Sequence, residues 1–136
     1  MILPIMLISV SQALAEVQDK SRLLNAIVSV ESSHKADAVG DNGRALGYGQ
    51  MWRSYFVDAS ENLPILKEWS YERCASDLGV TALCIVAYCD RYKASTDKEI
   101  ALCHHYGPSW YKLRHDPHKY WAKVQAKLKG TKWDTK

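Results

Sequence analysis

Apolar positions recur at helical spacing along most of the chain. Leu23, Leu24, Ile27, Val28 and Val30 mark one helix that runs to about Ser32. Val80, Leu83, Cys84, Ala87 and Tyr88, with Arg91, mark an amphipathic second one. Trp121, Val124 and Leu128 form the buried stripe of a last helix, ended by Gly130. Shorter helices are expected over residues 52–61 and 70–78, the second ending near Gly79. Thr96-Asp97-Lys98-Glu99 is a capping box, so a helix starts there and ends by Gly107-Pro108. Asp116-Pro117 pairs an N-cap residue with proline at the first helical position.

One segment breaks this rhythm. Gly40, Gly43, Gly47 and Gly49 punctuate residues 36–49, and Asp41-Asn42-Gly43 is a strong turn signal. Short turns or a small hairpin are expected here. The predicted fold class is therefore mainly α, in an α+β arrangement: a single helical domain with one glycine-rich hairpin segment after its first helix.

Length and composition narrow the picture. The 136 residues suit one domain, and 47% apolar residues exclude a disordered chain. A net charge of +3 is mild and argues against nucleic acid as a partner. Lys119, Lys123, Lys127, Lys129, Lys132 and Lys136 crowd the C-terminal stretch. They read either as a solvated helix face or as an attraction for an anionic polymer such as a cell wall.

Residues 1–15 carry no charge and end in Ala13-Leu14-Ala15. That pattern predicts a short signal peptide with an A-x-A cleavage site, export to the periplasm or medium, and a mature start at Glu16. The alternative is an apolar helix that packs on the domain. The run is too short for a convincing membrane span, which needs about 20 apolar residues. Residues 16–130 then form the domain, and 131–136 a frayed tail.

Cys74, Cys84, Cys89 and Cys103 match no zinc spacing. If residues 80–94 are helical, Cys84 and Cys89 face apart. That leaves pairings 74–84 with 89–103, or 74–89 with 84–103, or free buried thiols.

Glu31 is the first candidate for chemistry. It ends an apolar helix, where packing can bury its carboxyl and raise its pKa. Such a group keeps a proton near neutrality and can deliver it to a glycosidic oxygen, otherwise a poor leaving group.

Three motifs support that reading: Glu31-Ser32, then Gly47-Tyr48-Gly49-Gln50-Met51, then His104-His105-Tyr106-Gly107-Pro108. In this order and spacing the chain resembles the lysozyme-like superfamily, in particular soluble-type lytic transglycosylases and small bacterial muramidases. Tyr48-Gly49-Gln50-Met51, and Tyr55 followed by Asp58-Ala59, also resemble a turn and helix of invertebrate-type lysozymes. The resemblance runs from about Leu23 to Leu128. His105 stands where the family usually has Asn, and Tyr106 where it has Gly or Ala.

What the resemblance implies is a peptidoglycan glycosidase acting on the β-1,4 bond between N-acetylmuramic acid and N-acetylglucosamine. Glu31 would be general acid, and later base in a transglycosylase. Gln50 would lie at the cleft floor or else stabilise its turn. Tyr48 would line a wall or else pack in the core. His104 would touch the catalytic carboxyl or the substrate, unless it is purely structural. Ser32 would cap the helix or bind an N-acetyl group. His105 and Tyr88 are further substrate-binding candidates, and Tyr92 is assigned to the core.

Asp41 is the best-placed second carboxylate, ahead of Asp37 and Asp58, although an Asp in a turn is also an ordinary feature. With no second carboxylate in the cleft, attack by the substrate's own 6-hydroxyl is expected, the transglycosylase outcome. With Asp41 in place, a hydrolysing lysozyme is the alternative. A non-catalytic glycan-binding or cell-wall structural protein, motivated by His105 and Tyr106, is a rival of another class. An apolar-anchored component of a secretion or phage machine is a third. No metal and no cofactor is expected, and a monomer is.

Overall fold

Residues 7–130 are described by a computed structural model; the expected tail and the first six residues of the leader lie outside them. Helix α1 (Val10–Asp19) opens on a capping box between Ser9 and Gln12. It runs through the expected cleavage point, buries Ala13 completely and packs on a later helix, α5.

Helix α2 (Ser21–Ser32) buries Leu23, Leu24, Ala26, Ile27 and Val28, as the periodicity predicts. It stops because Ser33 turns left-handed at φ 54°. The glycine-rich segment is a two-stranded antiparallel hairpin. Strand β1 (Val39–Gly40) pairs with β2 (Ala45–Leu46) in the register Val39–Leu46 and Gly40–Ala45. Its turn is tight: Asp41, Asn42 and Gly43 take positive φ in succession, at 49°, 57° and 88°. A second loop follows at once, closed by an antiparallel bridge between Leu46 and Met51.

Helix α3 (Arg53–Asn62), a 3-10 turn over Pro64–Glu68, α4 (Tyr71–Ser76) and α5 (Leu78–Arg91) come next. Helix α5 is the hub. It buries seven residues, Thr81, Cys84, Ile85, Val86, Ala87, Tyr88 and Cys89, and packs on α1, α3, α4 and the following helix, α6. Each large aliphatic side chain fully buried there contributes about 2 kcal/mol through the hydrophobic effect. Gly79 does not end a helix, as its position suggested. Asp77 caps α5 by accepting from the amide of Val80, which puts Gly79 inside the first turn.

Helix α6 (Asp97–Tyr106) starts on the predicted Thr96–Glu99 capping box and ends at Gly107. Helix α7 (Tyr120–Lys129) begins later than Asp116-Pro117 predicts, with left-handed Lys119 at its N-cap. Asp116 still serves this helix from a distance, since its Oδ2 accepts from the amide of Trp121 at 2.7 Å. Its other oxygen is held by the hydroxyl of Tyr106, a tertiary contact that outweighs the local capping motif. Val124 is fully buried, while Trp121 and Leu128 are half-buried.

Among the described residues no helix is long and apolar enough to cross a membrane. Helix α7 packs on α2 and α6, which brings the end of α2, the end of α6 and the start of α7 to one place.

Candidate active site

Glu31 lies in the last turn of α2 with its side chain 16% exposed. The hydroxyl of Tyr120, in the first turn of α7, donates to its Oε2 at 2.7 Å. Burial raises the carboxyl's pKa above its ordinary value. The Tyr120 hydrogen bond opposes that shift by stabilising the charged form, as do His105 and Lys123. Nearby Asp41 reinforces it.

His104 is sealed behind Glu31. Its Nε2 lies 3.0 Å from the carbonyl oxygen of Gly49, which can only accept, so the proton sits on Nε2. Nδ1 is then the acceptor, and the hydroxyl of Tyr55 donates to it at 2.7 Å. Burial pushes the pKa of His104 down to about 4, with the Gly49 bond opposing. The imidazole is therefore neutral at physiological pH. Its Nε2 stands 3.5 Å from Glu31 Oε2, as a neutral dipole rather than half of an ion pair.

His105 faces Glu31 from the other side of the α6 end. Its ring stacks on Tyr120 with centroids 4.1 Å apart and planes 5° apart. Its Nδ1 is 4.0 Å from Glu31 Oε2, and its Nε2 is 2.8 Å from His118 Nδ1. Burial lowers its pKa, and Glu31 acts against that. Tyr106 bonds Asp116 through its hydroxyl, which also accepts from the amide of His118. The two positions that depart from the family motif thus form a connected network beside the carboxyl.

A cleft of about 440 Å³ runs past these groups, within the usual range of ligand sites. Glu31, Asp41, Gln50, Tyr88, His104 and His105 all line it. Asp58, one of the weaker carboxylate candidates, lines it too and accepts from the hydroxyl of Tyr92 at 2.7 Å. Tyr88 stacks on Tyr55 at 3.7 Å between centroids, so it serves cleft wall and core together. Tyr92 is half-buried against Tyr88.

Asp41 is exposed at the tip of the hairpin turn, where the indole N–H of Trp52 donates to its Oδ2 at 3.0 Å. Gln50 combines both of its sequence readings. It lines the cleft, yet its Nε2 is committed to the carbonyl oxygens of Ala38 and Gly47, each at 3.1 Å. Those bonds hold a left-handed backbone at φ 50°, where a non-glycine residue is strained.

Three candidates are not brought to the cleft. Ser32 is buried and its hydroxyl donates back to the carbonyl of Val28, within its own helix. Tyr48 is half-buried and absent from the cleft lining, and its amide is tied to the carbonyl of Ala75. Asp37 is exposed and also absent from it. A larger cavity of about 630 Å³ lies beneath α1 and holds none of the candidate residues.

Sequence reading missed Tyr120 and Trp52 as partners of the two carboxylates. Tyr120 stands 89 residues from Glu31, and only the packing of α7 on α2 reveals the pair. Trp52 directly follows the Gly47–Met51 motif, and that adjacency was the available signal.

A shielded glutamic acid ending a helix, with a hairpin aspartate in the same cleft, places the chain among the lysozyme-like enzymes of α+β fold. The Destabilase family profile matches residues 20–127, and the chain belongs to that family. The crystal structure of Tapes japonica lysozyme superimposes with a TM-score of 0.66 at 23% identity, covering 82% of this chain and 92% of that one. A chain in the crystal structure of Aeromonas hydrophila PliI in complex with Meretrix lusoria lysozyme gives 0.64 at 24% identity, over 77% of this chain and 87% of that one. At this level of identity the structural likeness establishes the fold. No curated protein sequence matches the chain.

Proposed function

We propose that this protein is a hydrolysing lysozyme, cutting the β-1,4 bond between N-acetylmuramic acid and N-acetylglucosamine in peptidoglycan. One observation carries the reading: Glu31, whose burial favours its protonated form, shares its cleft with the exposed carboxylate of Asp41. Glu31 protonates the departing glycosidic oxygen as an oxocarbenium-like transition state forms. Asp41 supports the sugar from the hairpin side, as nucleophile or as base for water. His104 keeps the carboxyl's surroundings neutral, and Tyr120 and His105 orient it. The reaction needs no metal or cofactor.

The transglycosylase expectation came from the resemblance, and it is favoured by a cleft without a second carboxylate. Asp41 lines the cleft, so hydrolysis is the better-supported outcome. Mass spectrometry of digested peptidoglycan tests this: reducing muramic ends are expected. Asp41→Asn should lower kcat by about 10²-fold or more, within the usual range for such groups. Anhydro-muramic ends would restore the transglycosylase reading.

The protein is further proposed to work outside the cytoplasm as a monomer. Four buried thiols bear on that compartment. The thiol of Cys74 contacts that of Cys84, and the thiol of Cys89 that of Cys103. This juxtaposition favours bridges 74–84 and 89–103 once the chain meets an oxidant. A non-reducing peptide map of secreted protein should show those two linkages, and each should stabilise the fold by about 3 kcal/mol. Four alkylatable thiols would mean that the chain matures in a reducing compartment.

A further inference from the structure

Trp52 is shared by two grooves. On one side lies the cleft with Glu31 and Asp41; on the other a groove of about 520 Å³ includes Arg44, Arg53, Tyr71 and Glu72. Ser54 lines both, so the two are continuous around the indole. Their charge differs in sign. The cleft carries Glu31, Asp41 and Asp58, whereas the groove beyond Trp52 carries two guanidinium groups and one carboxylate.

Both guanidinium groups lie over aromatic rings. That of Arg44 is 5.6 Å from the Trp52 ring, and that of Arg53 is 4.7 Å from the Tyr71 ring. A guanidinium laid on a ring keeps its N–H edge available for a carboxylate in bidentate fashion. Arg44 forms no ion pair with any described residue. Arg53 pairs with Glu72 at 3.0 Å, but both side chains are more than half exposed, so that pair is weak and readily exchanged. Trp52 itself is 42% exposed, and its N–H edge is fixed by Asp41, so its position is tied to the catalytic turn.

We propose that Arg44 and Arg53 form a subsite for the carboxylate-bearing peptide substituent of a muramyl residue, with Trp52 as the ridge between glycan and peptide. This rests on the lysozyme reading of the adjoining cleft. A neutral sugar chain would offer neither guanidinium an anionic partner. A glycan with an anionic branch beside the scissile bond uses the cleft and the groove at once, and Glu72 is placed to meet an amine on the same branch.

The test compares kcat/KM on two soluble glycan strands: one with its peptide stems, and one stripped of them by an amidase, which leaves only the short lactyl carboxylate too close to the glycan to reach past Trp52. Wild-type protein should prefer the stem-bearing strand. In R44A/R53A the ratio between the two substrates should fall by about tenfold, the loss of roughly one charge-assisted contact. In Arg44→Lys with Arg53→Lys, charge without the fork should restore part of that ratio. Equal ratios in wild type and R44A/R53A, or no wild-type preference, overturn the subsite. Misfolding of the double variant is read separately: muramyl dipeptide should quench indole fluorescence saturably in wild type, and absence of any quench also counts against the site. Glu31→Gln must silence both substrates; should it not, the lysozyme reading fails rather than the subsite.

Discussion

Glu31→Gln is expected to lower kcat on purified peptidoglycan by about 10³-fold, in the middle of the range for a general acid. The substitution keeps the shape of the side chain and its place beside Tyr120, and the amide oxygen can still accept from that hydroxyl. Only the transferable proton is lost. Release of soluble muropeptides measures the rate, and sedimentation with insoluble peptidoglycan checks that binding survives. A variant with wild-type turnover would place the acid elsewhere in the cleft.

The same group sets the alkaline limb of the pH profile. Glu31 acts while protonated, so activity falls as pH rises through its raised pKa. Tyr120→Phe removes a donor that stabilises the carboxylate, which should move that limb to higher pH. His105 acts in the same sense as Tyr120, on the acid side. Once protonated it favours the Glu31 carboxylate 4.0 Å away, and so works against the proton that catalysis needs.

Gly47→Ala is expected to destabilise the fold by about 3 kcal/mol or more, through a positive-φ penalty plus a backbone clash. The residue sits at φ +72°, and an added Cβ would lie 1.9 Å from the carbonyl oxygen of Ala75. That oxygen cannot step aside, because it accepts from the amide of Tyr48 at 3.0 Å. The turn that carries Gln50 would have to part from α4. Gly43→Ala is the internal comparison: φ is +88° but nothing lies within 4 Å of the new Cβ. It should cost only about 1 kcal/mol, the conformational part alone. Thermal unfolding followed by circular dichroism separates the two, with Gly47→Ala lower by about 5 °C or more. Equal melting temperatures would show that the α4 contact yields.

The helices were legible because their causes are local. Leu23, Leu24, Ile27 and Val28 announce α2 by spacing, and Thr96 with Glu99 announces α6 by reciprocal capping. The turn was equally plain in Asp41-Asn42-Gly43, with a hairpin as one of its two readings. Glu31, Asp41, Gln50, Tyr88, His104 and His105 do converge on one cleft. Where reading failed, the cause was tertiary. Asp116 looked like the cap of a helix beginning at Pro117, yet Tyr106 holds it and α7 starts at Tyr120. Tyr48 looked like a cleft wall by motif, but the contact of its turn with α4 takes it out of the lining. Nothing near Glu31 in sequence pointed to Tyr120, since that pairing is a property of how α7 crosses α2.

His104 joins the hairpin side at Gly49, α3 at Tyr55 and the end of α2 at Glu31, all from within the closed interior. A working centre moored in this way has no slack of its own. Warming the protein should therefore extinguish turnover and cooperative structure in one event, without an intact but silent stage in between.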